Sequence, residues 1–79
     1  MDAIEFKEQN IVIAKDQPEY IPLPALVDEN GNVVTCWKLS TDEIEKISKT
    51  GELWLQVMTF NQPLQPLYLT VEKTEVIES

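Results

Sequence analysis

The sequence predicts an α+β fold: a small antiparallel sheet of four or five strands with one short helix at about residues 41–50. Three observations predict it. Asp28-Glu29-Asn30-Gly31-Asn32 places an Asn-Gly pair between β-prone flanks, the signal of a two-residue hairpin turn with positive φ at both central positions. Ser40-Thr41-Asp42-Glu43 reads as a helix start, with Ser40 as N-cap and Glu43 completing a capping box. Residues 52–60 form an apolar alternating run, with Trp54, Gln56, Met58 and Phe60 on one face and Leu53, Leu55, Val57 and Thr59 on the other.

Along the chain, residues 4–6 and 11–14 are short β-prone runs, and residues 7–10 between them suit a hairpin turn. Pro18, Pro22 and Pro24 then forbid a helix and a central strand, so residues 17–24 are expected as an extended arm anchored by Tyr20, Ile21 and Leu23. The Asn-Gly hairpin joins strands at 25–29 and 32–39, with Val33, Trp37 and Leu39 expected to face the core. Asp42 and Glu43 suit the positive end of the helix dipole, Lys46 and Lys49 the negative end, and Gly51 a left-handed C-cap. Residues 52–60, apolar on both faces, are expected as a central strand covered on both sides, with a second subunit as one cover. Residues 61–66 form a proline loop, residues 67–71 a last strand, and residues 73–79 a frayed acidic tail.

The chain has 79 residues, enough for one domain over 1–79. A domain of this size buries only about 60–65% of its unfolded surface. Cys36 is alone and there is no histidine, so neither an internal disulfide nor a zinc cluster supports the fold. Self-association is the support left, and a homo-oligomer is expected. No apolar run approaches the roughly 20 residues of a membrane span. Residues 1–14 lack a basic leader, and a lone cysteine suits a reducing cytoplasm. Fourteen acidic residues face six lysines and no arginine, a net charge of −8. That field repels DNA and RNA, so no direct nucleic-acid contact is expected. It is compatible with a basic protein partner, or with mimicry of nucleic acid.

No enzyme is expected. Without histidine there is no Ser-His-Asp or Cys-His arrangement. Cys36 falls mid-strand and reads as a small buried thiol. The carboxylates lie in turns, the helix and the termini, and 79 residues offer little cleft for a glycosidase pair. Gly31 and Gly51 are the only glycines, so there is no phosphate loop, and Asp28, Asn30 and Asn32 lack the spacing of an EF-hand. No metal site and no cofactor are expected. What remains is an aromatic set. Trp54 and Phe60 read as core. Tyr20, Trp37 and Tyr68 are the candidates to stack on a planar ligand, with Lys38 beside them for a phosphate.

From Thr35 the pattern becomes specific: Thr35-Cys36-Trp37-Lys38-Leu39-Ser40, then Gly51-Glu52-Leu53-Trp54-Leu55-Gln56-Val57-Met58-Thr59-Phe60, then Asn61-Gln62-Pro63-Leu64-Gln65-Pro66. Together with Tyr20 and Pro22-Leu23-Pro24, this resembles a family of small, largely uncharacterised proteins of bacteriophage and prophage genomes, over roughly residues 18–72. Members often carry glycine where this chain has Asn61. The resemblance implies a protein acting in the host cell cytoplasm. The leading expectation is a non-enzymatic, counter-defence binding protein that sequesters a small nucleotide immune signal in an oligomer. The alternatives are an acidic inhibitor of a host protein, perhaps a nucleic-acid mimic, and a virion accessory protein.

Overall fold

The computed structural model describes residues 1–77. It is α+β, as the sequence predicts. In order it contains β1 (Asp2–Ile4), β2 (Ile11–Ile13), β3 (Leu23–Val27), β4 (Val33–Val34), β5 (Cys36–Lys38), helix α1 (Thr41–Thr50) and a 3-10 turn at Lys73–Glu75. The strands divide into two antiparallel sheets. One pairs β1 with β5, the other runs β2-β3-β4.

The two N-terminal runs do not form a hairpin with each other. β1 pairs with β5, setting Ala3 opposite Trp37, and β2 pairs with β3, setting Ile11 opposite Ala25. The reversal between them is local: Gln9 N–H donates to the Phe6 carbonyl at 3.2 Å, and Phe6 N–H donates to Gln9 Oε1 at 2.8 Å. Asn10 extends the β2–β3 ladder with its side chain, which gives to and takes from the Val27 backbone at 3.0 and 2.9 Å.

Proline does not exclude a middle strand here. Pro24 lies in β3, opposite Val12 of β2. β4 reaches only Leu26 and Val27 on the other side, so at Pro24 the strand is an edge and the missing N–H leaves no ladder bond unmade. The turn between β3 and β4 also differs from the two-residue form. Gly31 has φ +86°, while Asn30 stays outside the positive-φ region. Gly31 N–H donates to the Asp28 carbonyl at 3.2 Å and Asp28 N–H to the Asn32 carbonyl at 3.0 Å, which makes a three-residue loop with a left-handed glycine. The Asp28 carboxylate selects this form by accepting from the N–H groups of Asn30 and Asn32 at 2.9 and 2.8 Å.

Helix α1 follows its sequence signals closely. Ser40 Oγ accepts from Glu43 N–H, Glu43 accepts from Ser40 N–H at 2.9 Å, and Gly51 closes the helix at φ +66°. Glu43 also lies 2.8 Å from the Met1 amine, and that contact, with the Ser40 N–H, holds its carboxyl below its ordinary range.

Residues 52–60 and 67–71, expected as strands, pair with nothing in the chain and belong to no sheet among the described residues. Alternating β-prone residues make a strand only where they reach a free edge, which this segment does not within its own subunit, and Pro63 and Pro66 strip donors from the returning limb. Lys73–Glu75, within the segment read as a tail, is an ordered turn: Lys73 pairs with Glu8 at 3.0 Å, and Ile77 is buried at 7% exposure. Glu78 and Ser79 lie outside the described residues. The other buried hydrophobic residue is Ala25, on the middle strand.

So small a core leaves the molecule open. Its surface is 7370 Å², against about 4,900 Å² for a compact monomer of 9.1 kDa. Its radius of gyration is 14.1 Å, against about 11.6 Å for a compact domain of this length.

Candidate functional site

The four expected ligand residues lie on three separate segments. Tyr20 ends the turn that follows β2; its N–H donates to the Gln17 carbonyl at 3.0 Å and its ring is exposed. Trp37 and Lys38 are neighbours on β5, so their side chains leave opposite faces. Trp37 was expected in the core as well as at a site; it is 49% exposed, and its Nε1–H donates to Thr35 Oγ1 at 2.9 Å. Lys38 lies opposite Asp2 of β1 and is exposed. Tyr68 is exposed on the returning limb, and its hydroxyl donates to Glu75 Oε2 at 2.8 Å. No hydrogen bond among the described residues joins any two of the four.

Tyr68 belongs to a small polar cluster that the sequence did not announce. Glu75 accepts from the Thr70 hydroxyl and from Tyr68. These two donors hold the Glu75 carboxyl below its ordinary range, Thr70 contributing more, and the same carboxylate raises the Tyr68 phenol above its own. The effect is to keep Tyr68 a hydrogen-bond donor and Glu75 an anion. Nothing in the cluster is poised to move a proton near neutral pH.

Other expected core positions are open. Val33 is exposed, Trp54 is 87% exposed and Phe60 80%. Cys36, read as a buried thiol, is free and exposed. Two concave surfaces lie along residues 56–61 and 57–67, and neither includes any of the four expected ligand residues. At their centre the chain reverses. Gln62 N–H donates to the Thr59 carbonyl at 3.0 Å, with φ +55° at Phe60 and +64° at Asn61. Two left-handed central residues make a type I′ turn, the form that joins antiparallel strands. The signal for it is Asn61, a residue that tolerates positive φ, although the sequence reading took 61–66 as a plain loop.

Among the described residues, no group of three acidic, cysteine or histidine side chains converges to hold a metal, and no helix is long and apolar enough to cross a membrane. Compared with known proteins, the chain matches no family model, no curated protein and no solved structure.

Proposed function

We propose that this chain is a non-enzymatic binding protein that works as a homo-oligomer, and that it sequesters a small nucleotide-like ligand as a phage counter-defence factor. The observation that carries the reading is a set of exposed aromatic rings, Tyr20, Trp37 and Tyr68, on a protein whose net charge of −8 repels nucleic-acid chains. Exposed rings of this kind can serve as stacking platforms for a planar base. Lys38 leaves the face of β5 opposite Trp37, so it would meet the phosphate of a base stacked on another copy's ring, at a subunit interface.

The test is native mass spectrometry of the chain purified gently from a defence-active bacterial lysate, beside Trp37→Ala, Lys38→Ala and Tyr68→Ala. The expected result is an oligomer carrying a nucleotide-sized mass, with retention falling about tenfold or more on loss of a stacking ring. An apo protein overturns the nucleotide reading. Full retention in all three variants removes those residues from the site.

A second reading, an acidic inhibitor of a basic host protein, is favoured by one observation: Asp42, Glu45 and Glu52 are exposed along and just beyond α1, with only Glu45 paired, to Lys49 at 3.2 Å. An apo protein in the same experiment favours this reading, with a complex that weakens as salt rises.

A further inference from the structure

We infer that residues 53–71 are an exchanged β-arm, which leaves its own subunit and pairs with a free sheet edge of a second copy of this chain while covering that copy's helix. The inference rests on the oligomeric part of the proposed function and not on its ligand.

Four observations point to it. The first is chemical. Residues 53–71 contain no Asp, Glu, Lys or Arg, in a chain that is 25% charged. A charge-free apolar stretch is the composition of an interface core. Copies at net −8 repel one another, and a charge-free face is where they meet with the least repulsion.

The second is the backbone. No N–H from Leu53 to Asn61 donates to another group of the chain among the described residues. Yet the segment carries the type I′ turn of a hairpin, held by two left-handed residues, one of them an exposed phenylalanine. Such a conformation costs about 1–2 kcal/mol at a non-glycine residue, and contacts within the subunit do not repay it. Strand pairing with another chain does.

The third is the partner surface, which every copy carries. In α1, Ile44 and Ile47 share one face, Ile44 is exposed, and no residue of the helix is buried. In both sheets the outer strands have one side unpaired. Arm and receptor on the same chain are the condition for a closed, two-fold exchange.

The fourth is area. The surface in excess of a compact monomer is about 2,500 Å² per chain. A standard interface covers about 800 Å² per partner, and obligate dimers about 1,000–2,500 Å². The excess is of the obligate size. A basic foreign partner would be met by carboxylates, which the arm lacks.

The test is size-exclusion chromatography with light scattering, plus amide hydrogen exchange, on the full chain at high and low concentration. Leu55→Asp combined with Val57→Asp serves as the variant. The expected result is a homo-oligomer at high concentration in which the amides of 53–59 exchange at least about tenfold more slowly than in the dilute monomer. The double variant is expected to run as a monomer that keeps α1 by circular dichroism. An oligomer whose 53–59 amides exchange as fast as the monomer's overturns the arm and leaves the oligomeric function standing. A chain monomeric at both concentrations overturns the arm and the oligomer together, while ligand retention by that monomer still decides the binding reading. If the variant unfolds, the exchange comparison on the unaltered chain decides alone.

Discussion

Ser40 and Gly51 show how much of this protein rests on single residues. The helix between them buries none of its side chains within the subunit, so tertiary packing contributes little to it. Its ends therefore matter more than usual. Ser40 satisfies the N–H of Glu43 and receives Glu43 in return, and removing one such cap costs about 1 kcal/mol. Gly51 sits at φ +66° with open space where a Cβ would go, so Gly51→Ala meets no clash and is penalised by the backbone alone, by about 1 kcal/mol. Urea unfolding followed at the helix band should show both variants, Ser40→Ala and Gly51→Ala, destabilised by about that amount each. The two sites lie at opposite ends of the helix, so their effects should add. Measured at a concentration where the chain is monomeric, a helix signal unchanged in both would mean that the caps do not limit the stability of α1.

At the scale of elements, what was legible in the sequence is what is local. α1 was readable because Ser40, Glu43 and Gly51 each act within one turn. The reversal at 28–32 was readable for the same reason, though its loop type turned on which N–H groups the Asp28 carboxylate reaches. Pairing was not readable. Residues 2–4 find 36–38 across more than thirty positions, and no local signal distinguishes that from the hairpin with 11–14. The alternation of 52–60 was read as a central strand, and among the described residues it pairs with nothing. The same error moved Trp54 and Phe60 into a core they do not enter. Of the candidate site, the residue types were legible and their spatial separation was not. The C-terminal turn was missed because its ties are side-chain contacts that no local pattern announces: the distant ion pair of Lys73 with Glu8, and the hydroxyls of Tyr68 and Thr70 on Glu75. These ties titrate. The Glu8 carboxyl is lowered mainly by Lys73 and that of Glu75 mainly by Thr70, both from an ordinary value of 4.5. A carboxyl lowered in the folded state contributes stability above its ordinary value and loses it as pH falls through the folded value. Protection of the Ile77 amide, which donates to the Lys73 carbonyl at 2.9 Å, should therefore be flat from neutral pH to about 5 and decline below about 4.5. A decline that began near pH 7 would point to groups other than these carboxylates.

At the scale of the whole molecule, surface decides. With Ala25 and Ile77 as the buried hydrophobic residues, the subunit has little apolar burial to set against the entropy of ordering its chain. The largest apolar reserve, including Trp54, Met58 and Phe60, is on the outside. Covering the excess of about 2,500 Å² contributes of the order of tens of kcal/mol before entropy is subtracted, at about 25 cal/mol per Å² of its apolar part. Folding and assembly are then thermodynamically coupled. For such a protein the unfolding temperature depends on concentration by mass action, whereas a self-sufficient monomer unfolds at one temperature whatever its dilution. Differential scanning calorimetry over a hundredfold range of concentration should show the transition moving upward as concentration rises. In Leu55→Asp/Val57→Asp the movement should vanish and the transition should lie at or below the dilute limit of the unaltered chain. A transition independent of concentration would mean that the described sheets and helix hold themselves together with almost no core, and the exposed arm would then need an occupant other than this chain.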